Sequence, residues 1–260
     1  MKSYELPESN IYHLAGSSEG TQVKFFSDGK WFKQDLNGYE GETEYIVSCL
    51  LSCSNISDYV TYERCMINGK SGCVSENFLR ENETFITFER LHFSYTGQHM
   101  LDVVMIYSDI RERIESVKKF IKKNTNLDIS ACLSKIFSVD ALTLNYDRHF
   151  NNLGIIYDSE KNVFREAPVF DNGAGLLSNV SKFPVFRSIE ENSENIAGQP
   201  ICANLDLQAY YAGITLQIDY EMFENLYIQT LKPSRALLVL KYQLQQKRKI
   251  FPDLKKISLK

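Results

Sequence analysis

Around Gln98 the hydrophobic pattern of the chain changes period, and this limits the available folds more than any other feature. Before that point, short apolar runs alternate with turn residues. Residues 21–26 and 30–34 flank Ser27-Asp28-Gly29 as the arms of a hairpin, and Gly16-Ser17-Ser18-Glu19-Gly20 forms a loop ahead of it. Residues 41–53 place Tyr45, Ile46, Cys49, Leu50 and Cys53 at helical spacing, and 59–67, 72–74 and 84–89 read as further strands. Beyond Gln98 the stripes become helical. Asp109 is positioned to cap a helix over 110–123 with Ile110, Ile114, Val117 and Ile121 on one face, and Asp128 to cap another over 129–144. Strands at 153–157 and 163–170 follow, joined by the turn Asp158-Ser159-Glu160-Lys161. Helices are expected at 205–211, 220–231 and 233–247, with Pro233 in the first turn of the last. The expectation is an α+β chain of two lobes, a β-rich one over 1–91 and a larger, mainly helical one over 92–260.

Charge narrows the function classes. Lys and Arg number 29 and Asp and Glu 33, a formal charge of −4, so no broad attraction draws the chain to nucleic acid or an anionic membrane. No apolar run approaches the roughly 20 residues that span a bilayer, and Met1 to Pro7 lack the apolar centre of a secretory signal. A cytoplasmic protein without a membrane or direct nucleic-acid partner is expected. The six cysteines, Cys49, Cys53, Cys65, Cys73, Cys132 and Cys202, include no C-x-x-C pair and read as small buried side chains.

The chemistry concentrates in one stretch. Leu144 to Gly154 reads L-N-Y-D-R-H-F-N-N-L-G, and residues 167–173 read A-P-V-F-D-N-G. Two acids and an amide in loops between rigid elements suit phosphoryl transfer from a magnesium nucleotide, which needs an acceptor for the substrate hydroxyl's hydrogen and hard oxygen ligands for the metal. Asp147 is the candidate acceptor; Asn152 and Asp171 are the candidate ligands. D-N-G alone is ordinary turn chemistry. D-R-H-x-x-N, however, fixes four positions and arises by chance in such a chain on the order of once in several hundred, which favours the functional reading. In the amino-terminal lobe, Lys33 is the candidate for binding the nucleotide's α or β phosphate, with Lys24 and Lys30 as competitors.

D-R-H-x-x-N followed by A-P-V-F-D resembles the catalytic and metal-binding loops of the HipA-like kinases, and more distantly the phosphoinositide 3-kinase catalytic loop. In layout the chain is similar to the stand-alone CtkA-type Ser/Thr members of the HipA-like family, and the resemblance spans roughly residues 13 to 175. It implies a two-lobed, atypical protein-kinase-like fold with Asp147, Arg148 and His149 as catalytic residues, Asp147 as the catalytic aspartate and His149 in a supporting role, and magnesium on Asn152 and Asp171. Ala15 to Thr21 resembles the family's phosphate loop, A-G-x-x-E-x-T, which places Gly16, Ser17, Ser18 and Gly20 against ATP. The family's E-Y motif implies that Glu44 pairs with Lys33, with Glu42 as the alternate. Phe88-Glu89-Arg90-Leu91 resembles the segment that links the lobes, where backbone groups of Glu89 and Leu91 would meet the adenine. The position of the family's autophosphorylated serine is His13 here, leaving Ser17 or Ser18 for self-phosphorylation.

The implied function is an ATP- and magnesium-dependent kinase that moves the γ-phosphoryl group to a Ser or Thr hydroxyl of a protein, with a toxin or effector role and an antitoxin partner left open. The alternatives are a kinase for a small molecule or phosphoinositide, and a catalytically idle nucleotide-binding component of a toxin–antitoxin pair.

Overall fold

The computed structural model describes residues 1–12 and 22–254. Five strands build the amino-terminal sheet: β1 (Lys2–Tyr4), β2 (Lys24–Ser27), β3 (Lys30–Gln34), β4 (Glu63–Ile67) and β5 (Lys70–Glu76), in the order β1-β4-β5-β3-β2. Helix α1 (Glu40–Ser52) connects β3 to β4. Both hairpins turn on two residues of positive φ, Asp28 (51°) with Gly29 (74°) and Asn68 (48°) with Gly69 (76°), a geometry that Asp-Gly and Asn-Gly adopt at little cost. The first lies where the sequence places it. The second joins the runs read as 59–67 and 72–74, of which only Glu63–Ile67 enters the ladder on the β4 side; Tyr59 makes an isolated parallel bridge to Val169.

A second, antiparallel sheet joins β6 (Glu83–Thr87) to β7 (Gly154–Asp158) and β8 (Val163–Glu166). The strand expected over 84–89 stops at Thr87, whose hydroxyl accepts the Arg90 N–H and caps α2 (Phe88–Thr96), so residue 91 lies inside a helix. The strand expected over 163–170 stops at Glu166, just before Pro168, which has no N–H for the ladder.

The rest is helical: α3 (Met100–Val104), α4 (Ile110–Thr125), α5 (Ser130–Thr143), α6 (Ile189–Glu194), α7 (Leu205–Ala212), α8 (Tyr220–Phe223) and α9 (Arg235–Lys247). The Asp109 carboxylate accepts the Arg111 and Glu112 N–H groups at the start of α4, and Ile114, Val117 and Ile121 are buried. The cap of α5 falls on Ile129, while Asp128 bonds the Ser130 N–H at 2.9 Å. The expected helix over 220–231 is regular only to Phe223 and then widens over Glu224–Ile228. Ser234 caps α9, which leaves Pro233 outside the helix. Among the described residues no helix is long and apolar enough to cross a membrane. Five cysteines are buried and Cys202 is half-buried, all as free thiols.

Packing explains how the two lobes meet at one place. The main apolar core runs from Leu50 of α1 through Phe88, Val117 and Phe137 to Leu240 of α9, so α1 belongs to the helical core as well as to the sheet. A smaller cluster of Val60, Tyr62 and Cys73, with Phe78 and Phe170 against it, reaches Asp171 through Tyr62, whose hydroxyl accepts the Asp171 N–H at 3.4 Å. Helix α1 approaches the sheet where two glycines meet: a Cβ on Gly41 would lie 2.8 Å from the Gly72 Cα, closer than real Cβ atoms come. A Cβ on Gly72 would in turn meet the Lys33 carbonyl oxygen in β3. Gly72→Ala is therefore expected to destabilise the fold by about 1–3 kcal/mol through overpacking, lowering Tm by roughly 2–12 °C. An unchanged Tm by differential scanning fluorimetry would contradict this packing.

Candidate active site

Lys33, on β3 and nearly buried, meets two carboxylates. Its Nζ donates to Glu44 Oε1 at 2.7 Å and to Asp171 Oδ1 at 2.6 Å. The second oxygen of Glu44 accepts the Asn172 N–H at 2.8 Å, so α1 holds both the lysine and the turn that follows Phe170. Burial alone would lower the Lys33 pKa, but Asp171 and Glu44 outweigh it and hold the ammonium well above its ordinary value. Burial likewise disfavours the Asp171 anion, yet Lys33 and Lys24 keep that carboxyl far below the usual range. The competitors separate in space. Glu42 pairs with Arg64 at 2.9 Å and Lys30 with Glu76 at 2.6 Å, both on the surface, whereas Lys24 lies opposite Lys33 in the β2–β3 register and lines the cleft.

Arg148 stands elsewhere than among groups that touch a substrate. It is fully buried, its Nε and Nη2 bond Asp140 at 3.0 and 2.9 Å, Nη1 donates to the Phe170 carbonyl at 2.6 Å, and Nη2 also donates to Asn172 Oδ1 at 2.8 Å. Its donors are spent on holding the residues either side of Asp171, which itself takes the left-handed conformation (φ 59°) that Asp tolerates. Sequence reasoning missed the partners of this clamp: Asp140, Asn145, whose amide donates to Asp140 Oδ1 at 2.9 Å, and Asn172. A signal existed for Asp140, the lone acid of α5, eight positions before Arg148.

Asp147, His149, Asn152 and Asp171 line one cleft together with Lys24 and Gly173. Burial raises the Asp147 pKa, and Asp171 adds to it against the opposing pull of His149, Lys182 and Arg148. Burial also holds the His149 imidazole below its ordinary value, and its Nδ1 has no hydrogen-bond partner among the described residues. Among those residues no three His, Cys, Asp or Glu side chains gather into a cation site of their own. Asp171 and Asn152 instead offer one carboxylate and one amide oxygen on a shared cleft. That sparse, hard donor set fits magnesium, which binds through one or two protein ligands and fills its shell with water and phosphate oxygens.

Two expectations need correction or restriction. Glu89 and Leu91 lie in the first turn of α2 and not at the end of a strand: the Glu89 N–H donates to the Phe150 carbonyl at 3.3 Å, and the Leu91 side chain is buried in the helical core. The Glu89 carboxylate bonds His99 at 2.6 Å and the Met100 N–H at 3.1 Å instead. The local reason is the Thr87 cap, which turns the chain into a helix at Phe88, inside the strand expected over 84–89. Gly16, Ser17, Ser18 and Gly20, and with them His13, lie outside the described residues.

A sheet lobe with one helix, a helical lobe, and polar loops facing each other between them make a mixed α/β, kinase-like fold of the HipA and CtkA type. Among solved structures, the chain is similar to CtkA, a proinflammatory kinase of Helicobacter pylori: TM-score 0.63, 15% identity, covering 95% of this chain and 94% of that one. It is also similar to the HipA of Shewanella oneidensis MR-1, from a complex of the toxin–antitoxin system HipA and HipB with its operator DNA, with a TM-score of 0.52 and 13% identity, covering 95% of this chain and 66% of that one. No protein-family model and no curated protein matches the chain. The likeness is one of fold.

Proposed function

We propose that the chain is an ATP- and magnesium-dependent kinase that transfers the γ-phosphoryl group to a Ser or Thr hydroxyl of a protein. The observation that carries this reading is the meeting of Lys33, Glu44 and Asp171, residues up to 138 apart in sequence, at the cleft that Asp147 and Asn152 also line. Asp147 takes the proton of the acceptor hydroxyl as its oxygen bonds to the γ-phosphorus and the bond to the departing ADP breaks. Lys33, steadied by Glu44, offsets charge on the α or β phosphate. Magnesium, when bound, would neutralise the triphosphate's negative charge, and Asp171 and Asn152 are the residues that would hold it. Arg148 acts through the turn it clamps, and His149 lends its free Nδ1 to the same wall.

The surface beyond Asp171 supports a protein acceptor over an inositol phosphate. It mixes Lys182 and Arg187 with Glu190, Glu191 and Glu194, and exposes Val185 and Phe186. A concentrated basic wall, which an inositol phosphate would require, is not what these residues form. On the likeness to HipA, a toxin or effector role with an antitoxin partner is a subsidiary part of the proposal, as is a cytoplasmic location.

Incubation with γ-labelled ATP, magnesium and host lysate is expected to label protein on Ser or Thr. Calorimetric titration with ATP is expected to show that Asp171→Ala weakens magnesium-dependent binding on the order of 10- to 100-fold. Equal affinities of the variant and the unaltered protein would remove Asp171 from the metal site.

A further inference from the structure

Gln199 belongs to none of the motifs in the sequence and lies 52 residues beyond Asp147, yet its Nε2 donates to Asp147 Oδ1 at 3.0 Å. Among the described residues this is the one hydrogen bond to that carboxylate from another side chain. The loop that carries it is held from several directions. Gln208 of α7, fully buried, donates to the Gln199 carbonyl at 3.2 Å and accepts the Ile201 and Cys202 N–H groups at 3.0 and 3.1 Å. The Gly198 N–H closes the loop on the Ala203 carbonyl at 2.7 Å, and Arg113 of α4 donates to the Ile201 carbonyl at 2.9 Å. Each of these bonds is internal to the fold, so the loop's rigidity is passed on through a single side chain, the amide that grips Asp147.

That grip has a chemical consequence. A carboxylate that must accept a proton works best when one oxygen is fixed and the other faces the nucleophile, since misorientation of a reacting group lowers the rate steeply. The titratable groups that bear on Asp147, namely His149, Asp171, Lys182 and Arg148, act on it through space, with no hydrogen bond to either carboxylate oxygen among the described residues. Orientation therefore falls to the amide. We propose that Gln199 is a positioning residue for phosphoryl transfer, holding Asp147 by Oδ1 so that Oδ2 meets the acceptor hydroxyl. This rests on the kinase reading above.

The test is a double-mutant cycle read by single-turnover transfer from labelled ATP, alongside steady-state kinetics. Gln199→Ala is expected to lower kcat about 10- to 100-fold while the KM for ATP stays within about twofold. Gln199→Glu keeps the shape and removes the donor, so it is expected to lose at least as much; it also serves as the informative variant should the alanine protein fail to fold. In an Asp147→Ala background, Gln199→Ala is expected to change the residual rate by less than about twofold, because the residue through which it acts is gone. Folded Gln199 variants that transfer as fast as the unaltered protein would overturn the proposal, as would a loss that carries undiminished into the Asp147→Ala background. An unaltered protein that transfers nothing would instead overturn the kinase reading, and this inference with it.

Discussion

On the proposed kinase reading, Asp147→Ala is expected to lower phosphoryl transfer by about 10²- to 10⁴-fold, the usual contribution of a positioned general base, while ATP affinity stays within about threefold. The split follows from the geometry. Asp147 lines the cleft together with Asp171 and bonds none of Lys33, Glu44 and Asp171 among the described residues, so removing its carboxylate leaves the proposed nucleotide anchors in place. Measuring transfer from labelled ATP together with ATP binding on the same preparation checks both halves. A variant that turns over normally, or one that no longer binds ATP, would contradict the assignment.

The second large effect falls on folding. Arg148→Met leaves the Asp140 carboxylate, fully buried in α5, without its bidentate partner, and breaking one side of a buried ion pair costs about 3–5 kcal/mol. Tm should fall by roughly 6–20 °C. Adding Asp140→Leu removes the stranded charge and should recover most of that loss. Transfer activity should stay low in the double variant, because the Phe170 carbonyl and Asn172 still lack the guanidinium that sets the Asp171 turn. A thermal melt of the single and double variants reads the first claim and an activity assay the second; a single variant as stable as the unaltered protein would contradict the clamp.

These two residues also mark how far local sequence reaches. Asp147, Asn152 and Asp171 stood out as candidates because turn chemistry and a rare joint pattern occur within one short stretch, and the structure sets them on one cleft, while the α1 and α4 helices were legible from apolar spacing and, in α4, a capping Asp. The role of Arg148 was not, since whether an arginine reaches a substrate or a buried acid depends on Asp140 one helix earlier and Phe170 one hairpin later. The lobe linker was misread because β-branched Thr87 suits a strand and also caps a helix, and only the pairing of β6 with β7 decides where the strand ends. Gln199 left no local trace at all: its significance arises from a hydrogen bond spanning 52 residues and from a buried Gln208 that shapes its loop.

On the proposed function, Asp171 and Asn152 hold a divalent ion against a triphosphate with Asp147 close by. Manganese scatters anomalously and takes the same hard oxygen ligands as magnesium, so a crystal grown with manganese and a non-hydrolysable ATP analogue tests it directly. The expected result is an anomalous peak within coordinating distance of Asp171 and Asn152 oxygens, bridged to the phosphates, with Lys33 on the α or β phosphate. Nucleotide bound away from this cleft, or ordered in it with manganese on other residues, would contradict it.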